Sequence, residues 1–361
     1  MNNRKQAQVA NRLRVLRLIY SREEYSQRRI AAETHMQAST ISNIIAELIS
    51  SGLVVEGEAR ESRRVGPKET LLRINPQAAC SVGINFHAAA HEICVFDGDG
   101  TLLAEAVFEK DWDEKMPARL PAQIKSLARK AGLDMAQLCG VGVSVPGVVN
   151  RERGTVILSR ALNLQNYPMQ EHLQSKLKLP VFVDRNVNYG SYYEQHMNPG
   201  EYWYNSGYLL VKRNRVVSLG SPYSLGLAIT VNGEIYRGAN YAAGELEAVG
   251  EEDAVLIPSE LRKMGLRGHD DATVFFSRLG RHLASVVNLL DIGHLVVATE
   301  YASMEGEYFN VLADALRGYL IPISNRVFDI RFAENGLADL SKGAALAVLH
   351  HSLETALARA Y

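Results

Sequence analysis

The stretch from Ser26 to Val54 constrains this chain most, because its apolar residues follow the spacing of two short helices joined by a tight turn at 35–37. One face of the second helix is predicted to be apolar: Ile41, Ile44, Ile45, Leu48 and Ile49. The opposite face is predicted to carry Ser39, Thr40, Asn43 and Glu47. Two such helices form the geometry with which a helix-turn-helix enters the major groove of DNA.

The flanking segments favour a winged helix-turn-helix over a helical hairpin that merely packs against another element. Upstream, a third helix has an apolar face (Val9, Leu13, Leu16, Ile19) and a basic face (Arg4, Lys5, Arg12, Arg14, Arg17). Downstream, strands near 53–55 and 71–74 flank a turn-rich basic wing. The predicted DNA contacts are Gln37, Ser39, Thr40 and Asn43 on the second helix, and Arg60, Arg63, Arg64 and Lys68 on the wing.

Charge is distributed unevenly along the 361 residues. Residues 1–75 hold 13 basic and 8 acidic residues, whereas the remainder holds 26 and 32, so a net charge of -1 conceals a basic first part. A basic first part favours a polyanion such as DNA, although a solvated charged face would give the same count. The length predicts two or three domains.

The three cysteines, Cys80, Cys94 and Cys139, form no CxxC pair and are odd in number, which is typical of a reduced cytoplasmic protein. No apolar run is long enough to span a membrane, and the polar start MNNRKQAQ does not resemble a signal peptide. We therefore expect a cytoplasmic protein without membrane association.

Beyond residue 75 the pattern predicts an α/β fold. Strands at 81–86, 91–96 and 102–109 are followed by a helix near 115–131, a strand ending at Val145, and further alternating elements up to about 197. A second part has strands at 208–212, 225–231 and 295–298, with helices near 271–290 and 340–353. We expect a first lobe over 76–199 and a second over 200–361, with the last helix packing back on the first lobe and a ligand cleft between the lobes.

Two segments resemble the ROK family of repressors, open reading frames and sugar kinases. They are GVGVSVPGVVNRERGTVILSRALNLQNYPMQEHLQSKLKLPVFVDRNVNYGSYYE and ITVNGEIYRGANYAAGELE, the second being similar to the family stretch NG-x-LYRGA…AGE-x-GH. With the winged helix-turn-helix, the resemblance covers essentially the whole chain. It implies an actin-like, two-lobed fold and the branch similar to the xylose and N-acetylglucosamine repressors.

The chain departs from the family kinases where nucleotide would bind. Their Asp-x-Gly-Gly-Thr loop is replaced by the run from Asn85 to Ala89, Pro222 interrupts their second glycine-rich segment, and Glu300 stands in their late Gly-Gly loop. The Asn-Asp pair that supplies their general base is Arg185-Asn186 here, and an amide cannot take the proton. Asp184 lies two residues from that position. We therefore expect no enzyme activity and no cofactor.

No metal is expected either. Many family members bind zinc through the histidine of GH and a cysteine-rich run, but Ala248 stands at the histidine position and no cysteine follows Cys139. The remaining candidates, His269, His282 and His294, are more typical of ordinary surface or core histidines.

The resemblance assigns five positions to a ligand pocket: Gly147, Asn163, Arg185, Asn186 and Glu245. The carboxylate of Glu245 suits two neighbouring sugar hydroxyls. Arg185 replaces a neutral residue and favours a ligand with a carboxylate or phosphate, unless it points away and pairs with Asp184 or Glu194. A third alternative is a vestigial pocket in lobes that act only as a dimerisation scaffold.

These observations together predict a transcriptional regulator, with a repressor of a carbohydrate-utilisation operon implied by the resemblance. Its partners would be an operator in double-stranded DNA and an effector that is a sugar, sugar acid or sugar phosphate. We expect a homodimer or a dimer of dimers, because a single small module rarely supplies enough affinity. The alternatives are a sugar kinase with an appended DNA-binding domain and a scaffold controlled by a protein partner.

Overall fold

A computed structural model describes residues 3–21, 25–60, 69–87, 90–109, 112–199, 201–213, 223–246, 269–299, 306–333 and 336–360. Among these residues, no helix combines the length and apolar content needed to cross a bilayer.

The first part of the chain is the predicted winged helix-turn-helix. Its helices are α1 (Asn3–Tyr20), α2 (Gln27–Thr34) and α3 (Ala38–Ser50). Its antiparallel sheet has the order β1-β3-β2, with β1 (Tyr25–Ser26), β2 (Val54–Arg60) and β3 (Glu69–Ile74). The Ser26 hydroxyl caps α2 by accepting the Arg29 amide, and His35, with a left-handed backbone, ends that helix.

The predicted apolar face of α3 is confirmed for four of its five residues: Ile41, Ile44, Ile45 and Leu48 are buried. Ile49, by contrast, is 37% exposed, because the chain turns at Gly52 into β2 and leaves the last turn of the helix open. Glu47 lies off this apolar face, as predicted, and its side chain is 38% exposed. It faces α1, where its carboxylate accepts a 2.7 Å hydrogen bond from Arg12.

A first five-stranded sheet follows, in the order β11-β7-β4-β5-β6. Strands β4, β7 and β11 are parallel, whereas β5 and β6 continue the sheet as antiparallel neighbours. The strands are β4 (Cys80–Phe86), β5 (His91–Phe96), β6 (Leu102–Phe108), β7 (Leu138–Val145) and β11 (Val181–Arg185). Helices α4 (Met116–Lys130) and α5 (Met169–Leu177) belong to the same part of the chain.

Between β7 and α5 lies a small antiparallel sheet that was not predicted. It consists of β8 (Val148–Asn150), β9 (Thr155–Ser159) and β10 (Leu164–Tyr167). Helix α6 (Asn186–Met197) then leads from β11 towards the second large sheet.

The second five-stranded sheet has the order β14-β13-β12-β15-β16. Its strands are β12 (Ser206–Arg213), β13 (Tyr223–Val231), β14 (Glu234–Tyr236), β15 (His294–Thr299) and β16 (Asp329–Phe332). Helices α7 (His269–Leu290) and α8 (Glu307–Gly318) pack against each other and share one apolar core with this sheet. The predicted α/β class with two sheet-centred lobes is confirmed; α8, β14 and β16 were not predicted.

The last described helix, α9 (Asp339–Ala360), returns to the first sheet and packs on β4, β7 and α6. It also contacts α1. Four of its leucines (Leu346, Leu349, Leu353, Leu357) belong to the same buried cluster as Val15, Leu16 and Ile19 of α1. The winged module therefore shares its apolar core with the body of the protein.

Candidate DNA interface and effector cleft

The predicted DNA-reading residues of α3 lie on its solvent-facing side. Gln37 is the N-cap of the helix, and Ser39, Thr40 and Asn43 occupy its first two turns. All four are exposed, whereas the opposite side of the helix is buried. The first turns of α3 therefore present short hydrogen-bonding side chains, which suits contact with base edges.

The basic face predicted for α1 is largely used within the molecule. Arg12 pairs with Glu47, Arg14 donates to the carbonyl oxygens of residues 33 and 34 at 3.4 and 3.3 Å, and Arg17 binds Glu354. These arginines fix α1 against α2, α3 and α9.

One exposed cation near α3 was missed by the sequence reasoning. Arg28 lies in the first turn of α2, its side chain is 78% exposed, and its nearest carboxylate is that of Glu69 at 3.6 Å. The first helix of such a motif crosses the DNA backbone, and a basic residue two positions after the N-cap Ser26 is the signal that could have found it.

The wing residues Arg63, Arg64 and Lys68 lie outside the described residues, and so does the side chain of Arg60. The backbone of Arg60 ends β2, where it pairs with Glu69 of β3. The two strands that flank the wing are therefore in the predicted antiparallel arrangement.

Charged side chains cluster where β11 ends and α6 begins, against the segment after β14, and this is where the resemblance places the ligand cleft. The carboxyl ends of parallel strands at such a crevice are the usual place for a ligand in an open α/β sheet. Five charged residues meet here, and we call them the cleft charges: Arg151, Asp184, Arg185, Arg237 and Glu245.

Arg185 lies inside this cleft, not away from it. It is the N-cap of α6 and is buried. Its Nη1 donates to the carbonyl oxygen of Ala243, and its Nη2 donates to the carboxylate of Glu245. The alternative that the Arg185 side chain pairs with Asp184 or Glu194 is wrong. The side chain binds Glu245, Glu194 binds Arg331, and only the backbone amide of Arg185 donates to Asp184.

The carboxylate of Asp184 is buried and saturated. It accepts hydrogen bonds from Arg237 Nη2 at 2.7 Å, from Asn188 Nδ2 at 2.8 Å and from the Arg185 amide at 2.8 Å. Arg151 Nε adds an ion pair at 3.7 Å. A carboxylate held by so many donors is a structural anchor between β11 and the segment after β14.

The predicted role of Glu245 as a free acceptor for two hydroxyls is corrected by the structure, because its Oε1 already binds Arg185. The side chain remains 31% exposed, so part of the carboxylate still faces the cleft. Gly244 places this segment tightly against β13: its φ is +77°, and a Cβ there would lie 1.8 Å from the Leu227 oxygen.

The other predicted pocket residues differ in position. Asn186 is half-buried and its Oδ1 accepts the Val187 amide at 2.8 Å, at the start of α6. Gly147 has a φ of +117°, and a Cβ there would lie 2.2 Å from the Leu158 oxygen, so it holds the β8–β9 hairpin close. Asn163 is exposed, and its backbone amide donates to the carbonyl oxygen of Arg160 at 3.2 Å, within the turn before β10.

Polar side chains fill the end of β4, where the kinase loop would begin. Asn85 accepts a 2.9 Å hydrogen bond from Ser144 and contacts His87 at 3.1 Å. His87 also lies 3.1 Å from Glu92 and contacts the ammonium group of Lys212 on β12.

The departures at Ala88, Ala89, Pro222, Ala248 and Glu300 lie outside the described residues. Within the described part of the chain, no group of three His, Cys, Asp or Glu residues is arranged to hold a metal ion.

The fold is a winged helix-turn-helix joined to a domain built on two five-stranded sheets. Residues 81–248 match the model of the ROK family, and residues 10–65 match that of the MarR family. Over residues 81–248, just under half of its length, the chain is thus similar to the ROK family.

Relatives with curated names support the same grouping. A xylose repressor of Caldicellulosiruptor bescii is 28% identical over 253 residues, which cover 68% of this chain and 60% of the relative. The DNA-binding transcriptional dual regulator NagC of Escherichia coli is 22% identical over 242 residues, which cover 65% of this chain and 56% of the relative. The chain thus matches about 60% of the length of these curated relatives.

Solved structures show the same fold. A ROK family transcriptional regulator, described as a homolog of the E. coli MLC protein, superimposes with a TM-score of 0.71 at 17% identity over 98% of this chain and 100% of its own. A ROK hexokinase from Thermus thermophilus gives a TM-score of 0.57 at 23% identity, over 74% of this chain and 97% of its own. The kinase matches about three quarters of this chain, whereas the regulator covers nearly all of it.

Proposed function

We propose that this protein is a sequence-specific DNA-binding regulator that represses genes of carbohydrate use and responds to a small effector bound in the cleft. The observation that carries this proposal is the exposed polar face of α3 on a module whose other side is a packed core. The names of the relatives, a xylose repressor and the regulator NagC, support the same class.

We divide the chain into a DNA-binding module over residues 1–75 and two lobes over 76–199 and 200–361. Strand β3 ends at Ile74 and β4 begins at Cys80, which supports the first boundary. DNA recognition would fall to Gln37, Ser39, Thr40 and Asn43, and backbone contact to Arg28, Arg60, Arg63, Arg64 and Lys68. Two such modules related by a two-fold axis would read an inverted repeat, so we expect a homodimer.

The test is to incubate the full chain with fragmented genomic DNA at about physiological salt, where non-specific binding is weak, and to sequence the retained fragments. A shared inverted repeat upstream of transport or catabolic genes is expected. Diffuse recovery without a common site would contradict the proposal.

Two classes of variant then separate base reading from phosphate contact. Replacing Thr40 or Asn43 with Ala should relax the base preference at single positions of the repeat. Arg63→Ala or Arg64→Ala should weaken binding to all sequences and flatten its salt dependence by about one unit of slope. Ser50→Ala, at the far end of α3, is the control and should change neither. A wing variant that altered base preference without changing the salt slope would contradict this division.

The same proposal predicts that the two lobes, residues 76–361, have no kinase activity. The position of the family's general base carries Asn186, and the neighbouring carboxylate of Asp184 is held by Arg237, Asn188 and Arg151. These partners occupy the oxygens of Asp184, so they leave it poorly placed to accept a hydrogen bond from a sugar hydroxyl. We therefore expect no sugar-dependent ATP turnover in a coupled assay. Turnover that disappeared in Asp184→Asn would establish the kinase alternative instead.

In the cleft, we assign effector binding to Gly147, Asn163, Arg185, Asn186 and Glu245. The support is the convergence of Arg185 and Glu245 at the start of α6, with Gly147 shaping the adjacent hairpin. Asn163 has the weakest support, because its described contact lies within its own turn.

A further inference from the structure

The cleft charges carry an inference about the chemical class of the effector, which rests on the proposed function. Three of the five are cationic (Arg151, Arg185, Arg237) and two are anionic (Asp184, Glu245), so these five described residues together carry one excess positive charge. The amino end of the twelve-residue helix α6 opens beside them and adds the positive end of its dipole.

Arg185 uses up the acceptors that a neutral sugar would need. Hydroxyl groups bind best where a carboxylate or a carbonyl oxygen accepts their protons. Here Glu245 and the carbonyl of Ala243 accept from Arg185 instead. The Arg185 side chain is only 3% exposed, so the guanidinium is fixed between them. A neutral sugar that used both oxygens of Glu245 would have to displace the guanidinium of Arg185, which is costly because it leaves a buried charge without its partner.

Apart from the second oxygen of Glu245, the unused hydrogen-bonding groups of the cleft charges are donors. Arg185 Nε is buried and finds no acceptor among the described residues. Arg151 makes one ion pair, at 3.7 Å, and its side chain is 40% exposed, so most of its guanidinium remains available. A guanidinium has no acceptor and matches a carboxylate or phosphate in two-point geometry.

We propose that the cleft binds an anionic carbohydrate, one that carries a carboxylate or a phosphate, with Arg151 as its main ligand and with Arg185 excluding neutral sugars by holding Glu245. Asp184 takes no part in ligand binding, because Arg237 and Asn188 occupy it. Arg185 is thus a specificity-determining residue of the site.

The experiment is titration calorimetry on the purified full chain without DNA, at low ionic strength where charge pairs are least screened. The probes are common aldohexoses and aldopentoses, each compared with its uronic acid and its sugar phosphate, together with inorganic phosphate alone. Binding of at least one anionic member, with no binding of its neutral parent at the same concentration, is expected. Which anionic form binds distinguishes a carboxylate from a phosphate ligand.

Three variants sharpen the test. Arg151→Gln should weaken anion binding by roughly ten-fold or more, as for a lost hydrogen bond to a charged group. Arg185→Asn should release Glu245 and Ala243, so that a neutral parent sugar binds where it did not bind before. Arg129→Gln, an exposed arginine in the last turn of α4, is the control and should bind like the unaltered chain. Circular dichroism establishes that each variant is folded.

Several outcomes would overturn this proposal. They are binding of neutral sugars by the unaltered chain as tightly as their anionic forms, no binding of any probe, and an unchanged affinity in Arg151→Gln. Inorganic phosphate that bound as tightly as a sugar phosphate would overturn the carbohydrate part. If an operator is found, any of these results overturns the anionic effector but not the proposed function. If an anionic sugar binds but no operator exists, the proposed function is refuted and the anion site remains.

Discussion

Single glycines set how closely the last helix approaches its neighbours. A Cβ at Gly83 of β4 would lie 1.9 Å from the Ser341 oxygen of α9, and one at Gly142 of β7 would lie 2.2 Å from the Ala344 oxygen. On the helix itself, a Cβ at Gly343 would lie 1.9 Å from the Tyr189 oxygen of α6. The backbones of α9, α6 and the first sheet therefore approach as closely as they do because these positions lack side chains.

We predict that Gly343→Ala destabilises the protein even though alanine is the better helix former. Propensity alone would favour alanine by about 1 kcal/mol. The clash with the Tyr189 carbonyl forces α9 and α6 apart, and overpacking of this kind costs about 1–3 kcal/mol or more. Urea unfolding measures the net change.

The matched control is Gly318→Ala, at the end of α8, where an added Cβ would meet nothing within 4 Å. It should leave the free energy of unfolding unchanged or slightly higher. If Gly343→Ala raised the stability as much as the control, the close approach of the two helices would be refuted.

At the residue scale, the sequence shows which side chain departs from the family but not where that side chain goes. A guanidinium at position 185 is visible in the sequence, and its proximity to Asp184 makes pairing with that neighbour a natural expectation. The fold instead brings in Glu245, 60 residues downstream, while Asp184 binds Arg237, 53 residues downstream. Local spacing carries no information about such long-range pairs.

At the element scale, α6 and α9 connect the cleft charges to the winged helix-turn-helix. Helix α6 begins at the cleft with Arg185 as its N-cap and, seven residues later, places the hydroxyl of Tyr192 2.6 Å from His350 of α9. The His350 ring stacks on Tyr20 of α1, with centroids 3.8 Å apart. A shift of α6 therefore bears directly on the residues that hold α1.

A salt bridge completes this junction. Arg17 donates two hydrogen bonds to Glu354 at 2.8 and 2.9 Å, and the Tyr20 hydroxyl donates a third at 2.6 Å. Burial by itself would raise the pKa of Glu354, but the hydrogen bonds from Arg17 and Tyr20 and the charge of Arg17 lower it on balance. The ionised form is therefore the one that the folded junction favours.

We predict that the junction weakens in acid. Because the pKa of Glu354 is lower in the folded than in the unfolded chain, its contribution is present above the ordinary carboxylate pKa and is lost as the pH falls through the folded value. Glu354→Gln should lower the melting temperature near pH 7 and should differ little from the unaltered chain in acid.

The comparison variant is Glu105→Gln, whose exposed carboxylate lies 4.0 Å from Lys342 and should contribute little at any pH. If the melting temperatures of Glu354→Gln and the unaltered chain differed by the same amount at every pH, the charge of Glu354 would contribute nothing to stability.

Periodicity predicted the long elements well and the short ones poorly. Helix α7 and strands β4, β7 and β15 have long apolar patterns that identify them in isolation. Strand β16, by contrast, has four residues and is defined as a strand by its pairing with β15. The hairpin sheet of β8, β9 and β10 likewise depends on cross-strand partners and not on any long apolar run.

At the scale of the whole molecule, the winged helix-turn-helix is not an independent domain joined to the rest only by a linker. The buried cluster that contains its α1 and α3 residues extends to α9, to α6 through Tyr193, and to β5 through Cys94 and Phe96. A change in the body of the protein can therefore reach the module through packed side chains as well as through the chain connection.

We predict that a fragment of residues 1–75 is markedly less stable than the same module in the full chain, because it exposes the apolar surface that α9 covers. Hydrogen exchange of the α1 amides measures this directly, with slow exchange expected in the full chain and fast exchange in the fragment. The amides of α3, whose core is mostly internal to the module, should lose less protection. Equal protection of α1 in both proteins would show that α9 adds nothing to its stability.

The pairing of α1 with α9 also fixes an order of events when the protein is made. Arg17 and Glu354 are separated by 337 residues, so at about 5–20 residues per second the ribosome needs roughly 20–70 seconds to supply the second partner after the first. During that interval α1 has been synthesised, but the helix on which it packs, α9, has not. The packing of α1 against the last helix is thus completed late in synthesis, and a prematurely terminated chain would contain the winged helix-turn-helix without that contact.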